Sequence, residues 1–448
     1  GSFCIRDNTQ RVDQENNFEM MTVGFNIAKD AADLDWNYVE ETEGDRAGYL
    51  YPALRTSFKK DGCDVTITNF GNKVNISDKN YVAVYSRVSI TNNTDTAVTM
   101  DPGASSEELV RLTYNSRVVQ PGETVTHDYV VAVDRFGEQY AWPSDDDLAA
   151  SGSYDENYAE MKEFWESRLD NIVHIKSIPN EEMRRMLYAT FIQYNIIKDP
   201  YMVAPGDFRY EEIGNNIHVG ENGYDKVFRA DMVEMVATVI NLGDLNPNDP
   251  TGVGGADIRM NLQDILNPMD PSLGHDTNPA TKWKVPWMVA CYLLKTGDTE
   301  LVKKCFITED TGDIDIKECA QLVVDNIEDN GLMIQTDIDH QGYWLMGNWN
   351  ALLGLAAYDW ICDELGYEPG SPERMLQTKD RTGTVDAMDV YKELLNNCNE
   401  KLEKVMEDSA IDYLPSNIMH ANDYDSLMQD ERDGNWAVHL FNGRWPWE

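Results

Sequence analysis

Two periods of hydrophobic repetition divide the chain. Between residues 18 and about 140, apolar and polar side chains alternate at every second position, most clearly at 63–70 and 81–90 and again at 109–114 and 124–133. A period of two sends one row of side chains into a core and the other toward solvent. Short runs of this kind, separated by turn-rich stretches such as 91–95 and 120–123, predict an antiparallel β-sandwich. Residues 141–155 have the composition of a linker, with Trp142-Pro143, three consecutive Asp and Ser-Gly-Ser. Residues 155–171 then place Tyr158, Met161, Phe164, Trp165 and Leu169 near one side of a connecting helix.

From residue 180 the period lengthens to that of a helix. Helices are expected at 181–197, 226–242, 256–266, 282–295, 315–329, 348–365 and 385–406. Most stop at a glycine (Gly243, Gly297, Gly331, Gly366), the residue that best takes the left-handed conformation closing a helix. The expected domains are therefore a sandwich over 1–140, a linker over 141–179 and a helical domain over 180–448.

The helices are of two kinds. Those at 282–295 and 348–365 are apolar almost all round, whereas those at 315–329 and 385–406 carry a charged face. A helix apolar on every side belongs inside a fold and an amphipathic one outside. Alternation of outer and inner helices predicts hairpins arranged as a double-layered α/α toroid. The unequal spacings and long aromatic loops argue against a simple solenoid.

Charge narrows the partners. The 448 residues hold 37 Lys+Arg against 79 Asp+Glu, a formal charge of −42. Such a chain repels polyphosphate and anionic membrane surfaces, which excludes nucleic-acid binding as its main role. No apolar run is long enough for a transmembrane helix, so no membrane insertion is expected. Neutral sugars are compatible partners. The 7 Cys form no C-x-x-C pair, and Cys291, Cys319, Cys362 and Cys398 are expected as buried free thiols. No cofactor and no metal are expected: Asp310, Asp313, Asp315 and Glu318 fall short of a calcium loop, and the His residues lack ligand spacing. Asn75 and Asn92 stand in N-x-S/T sequons. Gly1-Ser2 reads as a tag remnant, and the aromatic stop at 444–448 reads as a cut in a longer chain.

Several ordered segments resemble the six-hairpin glycosidase superfamily of glucoamylase-like and α-L-rhamnosidase-like enzymes. Residues 226–231 (K-V-F-R-A-D) look like the W-x-R-D that opens its second helix, with Phe228 in place of Trp and Ala230 inserted. Residues 283–300 look like the P-W…Y-x-x-T-G-D of the fourth helix, and 350–366 like the N-A-L…L-G of the sixth. The resemblance implies a general acid in the loop before the sixth helix, here 331–347, and a general base before a twelfth helix. Only about eight helices are reached by residue 448, so the base and the closing part of the ring are expected outside this chain, whose missing remainder would then be a partner.

Hydrolysing a glycosidic bond takes one protonated and one ionised carboxyl group. Loop 331–347 offers Asp337 and Asp339 two residues apart. Their mutual repulsion would keep one protonated. Tyr343 and Trp344 follow, where they could stack on a sugar. Asp339 is the favoured acid because it lies nearer these rings. Arg229 and Asp231 are candidates for sugar hydroxyls, as are Tyr210, Glu211, His218 and Tyr224 in the long loop 206–225. Trp436 and Trp445 mark another aromatic and acidic cluster, which includes Glu431 and Glu448.

The expected function is a glycoside hydrolase acting by inversion on a terminal or near-terminal sugar, extracellular or at the cell surface after loss of a signal peptide. A non-catalytic carbohydrate-binding protein or inactive fragment is the alternative. A polysaccharide lyase, which would use a Tyr/His pair and a cationic patch, is the third.

Overall fold

A computed structural model describes residues 3–6, 20–31, 33–134, 141–196, 198–200, 215–217, 229–245, 282–304, 316–336, 341–410, 412–415 and 418. The chain divides into two compact units. One contains the sheet and continues through Ile196, and the other contains the helices from Arg229 onward.

Among the described residues the first unit has the strands β1 (Phe3–Arg6), β2 (Met20–Val23), β3 (Asp35–Glu40), β4 (Leu50–Lys60), β5 (Cys63–Ile76), β6 (Lys79–Asn92), β7 (Val98–Thr99), β8 (Val110–Arg111), β9 (Val118–Val119) and β10 (Thr124–Asp134). Six of them form an antiparallel sheet in the order β3-β4-β5-β6-β10-β8, while β1 pairs with β2 and β7 with β9. Strands β4 and β5 are joined by Asp61-Gly62, both with positive φ, so that Lys60 faces Cys63 across a two-residue turn. Positive φ at both central positions matches the right-handed twist of the flanking strands.

Alternation supplies two different faces. Val65, Ile67, Val88, Ile90, Tyr129 and Val131 share one core with Phe25, Ile27, Met100 and Val119. On the other face Phe70 stacks on Tyr85 and meets Tyr154 and Tyr158 edge-on. Those two tyrosines come from α2 (Tyr154–Leu169), which follows the short α1 (Asp145–Ala149). Ser153 and Glu156 form a capping box that starts α2. Arg87 ties it to the sheet: its Nε donates to Asp128 and its Nη1 to Asp155, both at 2.7 Å, and its guanidinium lies 4.0 Å from the Tyr154 ring centre.

The expected boundary at residue 180 shifts. Helix α3 (Glu181–Ile196) belongs with the sheet unit and packs on β4. Arg184 and Arg185 both donate to the carboxylate of Glu40 at the end of β3, and the Tyr188 ring lies against Tyr49.

The second unit contains α4 (Arg229–Leu242), α5 (Val285–Thr296), α6 (Thr299–Lys304), α7 (Ile316–Asn326), α8 (Leu345–Glu364) and α9 (Ala387–Ser409). Helix α8 packs against α5, α7 and α9, and α5 also packs against α4. Every residue from Met288 to Leu293 is buried, so α5 has no solvent face over that stretch. Helices α7 and α9 differ: α7 buries Ile316, Cys319, Ala320, Val323 and Val324, and α9 buries Ala387, Val390, Leu394 and Cys398, each set forming one stripe.

Gly354 permits the closest approach. A Cβ built there would lie 1.7 Å from the carbonyl oxygen of Trp283, so only a glycine lets α8 reach the start of α5. The helix expected at 256–266 lies outside the described residues. Among those residues no helix is long and apolar enough to cross a membrane.

Candidate functional site

The loop ahead of α8 is built from below. Gly331, at φ +79°, turns the chain after α7. Ile327 and Met333 then form an antiparallel bridge, and the strands Gln335–Thr336 and Gln341–Gly342 pair, with Thr336 opposite Gln341. Loop 331–347 thus carries a hairpin that feeds directly into α8, and in sequence the four residues from Asp337 to His340 connect its two strands.

Asn348 anchors that hairpin. The residue is fully buried on the first turns of α8. Its Oδ1 accepts from the Met333 N–H at 2.8 Å, and its Nδ2 donates to the Met333 carbonyl at 3.1 Å and to the Trp344 carbonyl at 2.9 Å. Asn397 of α9 adds a bond from its Nδ2 to the Gly331 carbonyl at 3.2 Å. The loop base is therefore held by side chains from both α8 and α9. The sequence reading did not single out Asn348, although a polar side chain at the start of an apolar helix was a signal for it.

Of the expected site residues, Asp337, Asp339, Tyr210, Glu211, His218, Tyr224, Trp436 and Trp445 lie outside the described residues. So do Glu431 and Glu448. Arg229 and Asp231 fall in the first turn of α4. Trp344 is the half-buried N-cap of α8. Tyr343 is only 6% exposed, and its carbonyl accepts from the Ile418 N–H at 3.0 Å. Its ring is enclosed by protein, where burial pushes the phenol pKa up, and it offers no free face for a sugar. The neighbouring surface is supplied instead by Met346 and Trp349, both on α8 and both exposed, Trp349 by 46%. They were overlooked because an apolar helix was expected to be covered on every side.

The sheet unit holds a polar basin of about 590 Å³ lined by Glu41, Arg46, Tyr49, Glu166, Asp170 and His174 among others. Arg46 donates to Glu166 at 2.7 Å and to Asp170 at 2.6 Å, while the Tyr49 hydroxyl lies 3.0 Å from both Asp170 Oδ1 and His174 Nε2. This Tyr/His pair has the residue types of a lyase base. Burial, together with the hydrogen bond to Asp170, instead raises the Tyr49 pKa and holds the phenol protonated. The basin is a fixed ionic clasp between the 3₁₀ turn Gly44–Arg46 and the end of α2.

Five described cysteines (Cys63, Cys291, Cys319, Cys362 and Cys398) are buried free thiols, and burial pushes the Cys362 and Cys398 thiols up to about 12. They are inert as nucleophiles at neutral pH. The sequon asparagine Asn92 is fully buried and donates to the Thr96 and Val119 carbonyls, so the folded chain offers no glycan acceptor there. Among the described residues no group of three or more His, Cys, Asp or Glu could hold a metal ion. Compared with known proteins, the chain matches no family model and no curated protein.

Proposed function

We propose that this chain is a glycoside hydrolase whose helical unit is part of a double-layered α/α toroid, with the sheet unit as a sandwich-type support. The observation that supports this reading best is the hairpin Gln335–Thr336/Gln341–Gly342, which runs into α8 and is locked at its base by the buried Asn348. A general acid must be held within a fraction of an ångström of the leaving oxygen. A short hairpin fixed to a packed helix by a buried side chain is a suitable mount, and an unanchored loop is not.

In this reading Asp339 protonates the leaving-group oxygen and Asp337 raises its pKa by charge repulsion. Trp344 and Trp349 line the approach, and Arg229 and Asp231 hold hydroxyls of a terminal sugar. The reaction inverts the anomeric centre: a second carboxylate, about 6.5–9.5 Å from the acid, activates a water on the opposite face.

The test is a panel of aryl glycosides and reduced oligosaccharides offered to the chain and to its Asp337→Asn and Asp339→Asn variants, with the first-formed anomer read by NMR. Turnover that survives Asp339→Asn unchanged removes the acid assignment. A second reading, non-catalytic sugar binding, is favoured by the exposed Trp349 and Met346. Its expected outcome is ligand-induced thermal stabilisation with no product from any substrate.

A further inference from the structure

The sheet unit presents aromatic rings that its own packing does not use. Strand β3 is an edge of the six-stranded sheet, and Trp36 and Tyr38, two residues apart, project from one face of it. That spacing sets them about 7 Å apart along the strand. Trp36 is 64% exposed and Tyr38 44%. Together with Met186, Glu182 and Arg185 of α3, they line an open groove of about 300 Å³.

We propose that this groove is a binding site for a neutral oligosaccharide, separate from the hairpin that precedes α8. Three features select that ligand. The first is shape: flat exposed rings match the apolar C–H face of a pyranose, and the volume lies at the small end of pockets for compact ligands. The second is charge. Both Glu40 oxygens are engaged, one by Arg184 Nη2 at 3.1 Å and the other by Arg185 Nη2 at 2.8 Å, and Arg185 Nη1 also reaches Glu182 at 3.5 Å. The guanidiniums are thereby neutralised toward anions and the Glu40 carboxylate toward cations, while a net charge of −42 disfavours a polyanionic ligand. The third is area. Trp36 and Tyr38 expose on the order of 200 Å² of ring, far short of the roughly 800 Å² per partner of a stable protein interface.

This inference does not rest on the hydrolase reading and shares with it only a ligand class. The experiment is native affinity electrophoresis of the full chain through gels containing xylan, mixed-linkage β-glucan, galactomannan or amylose, with polygalacturonate as the anionic control. At least one neutral gel should retard the chain and polygalacturonate should not. Retardation should weaken at least tenfold in Trp36→Ala/Tyr38→Ala and persist in Trp36→Phe, which keeps a flat ring. Both substituted positions are exposed, and circular dichroism checks that the variants are folded. Aryl-glycoside turnover should be the same in all of them, so that loss of retention and loss of hydrolysis are separate results. Absence of retardation in every neutral gel overturns the proposal. So does retardation that the double alanine variant leaves intact. A concentration-dependent dimer that disappears in the same variant also overturns it, in favour of a second copy of the chain.

Discussion

The carboxamide of Asn348 holds the backbone of Met333 at both ends, accepting from its N–H at 2.8 Å and donating to its carbonyl at 3.1 Å. Both groups lie where water does not reach, Met333 being 1% exposed. One buried side chain on α8 thus does for the loop what a paired strand would do, fixing the register of the hairpin that follows.

Asn348→Ala therefore leaves a buried donor and a buried acceptor without partners, at a cost on the order of 3 kcal/mol. Urea unfolding should show that loss. Hydrogen exchange should speed up selectively at the amides of 333–342, ahead of those in α9. Uniform acceleration across the helical unit would mean that Asn348 is no more than a general packing residue.

Gly354→Ala should destabilise the helical unit by about 1–3 kcal/mol or more, because the added methyl meets the rigid backbone at Trp283 rather than the end of a flexible side chain. Thermal unfolding followed by circular dichroism reads this directly. The same substitution at Gly122, where nothing lies within 4 Å of a built Cβ but φ is +74°, should cost only the strain of the left-handed backbone, roughly 1 kcal/mol.

Arg374 reaches three partners across the turn after α8. Its Nε donates to the Tyr367 carbonyl at 2.7 Å, its Nη1 to Asp359 at 2.7 Å, and its Nη2 to Asp363. Burial already raises the pKa of Asp359 despite the guanidinium beside it. Arg374→Ala should cost about 1.5–3 kcal/mol at neutral pH by leaving that half-buried carboxylate without its charged partner. Asp359→Asn in the same chain should recover part of the loss in a double-mutant cycle.

In the sheet unit, the hydrogen-bonded guanidinium of Arg46 holds the Asp170 carboxyl below its ordinary value of 3.8, with the Tyr49 hydroxyl assisting. A depressed carboxyl stabilises the fold fully above that ordinary value, and the contribution is lost as pH falls through the lowered one. Asp170→Asn should therefore lower the urea midpoint at pH 7 and have progressively less effect below pH 4. An equal effect at both pH values would exclude an ionic contribution.

Much of the fold was legible in the sequence because burial sets period. The strands at 63–70 and 81–90 lie within β5 and β6, and the helix expected at 155–171 is α2, displaced at its ends by a residue or two where Ser153 caps it. Gly243, Gly297, Gly331 and Gly366 all take positive φ near helix ends. What was not legible depended on partners. α3 has the same period as the later helices, and its contacts with the sheet, Arg184 and Arg185 on Glu40 and Tyr188 against Tyr49, group it there. Tyr343 and Trp349 are both aromatic residues near a loop, and sequence cannot tell which ring is enclosed and which is open. The hairpin ahead of α8 was read as a loop because its strands are only two residues long.

The proposed proton donor is Asp339, in the segment that joins the two strands of the hairpin anchored by Asn348. The most direct test of that role compares kcat/KM of the wild-type chain and Asp339→Asn on two aryl glycosides of the same sugar, one with a poor leaving group and one with an activated dinitrophenolate. A general acid contributes about 10²–10⁴-fold where the leaving group needs a proton. A loss of that order is expected on the poor leaving group and little loss on the activated one. Equal losses on both substrates, or none on either, would contradict it.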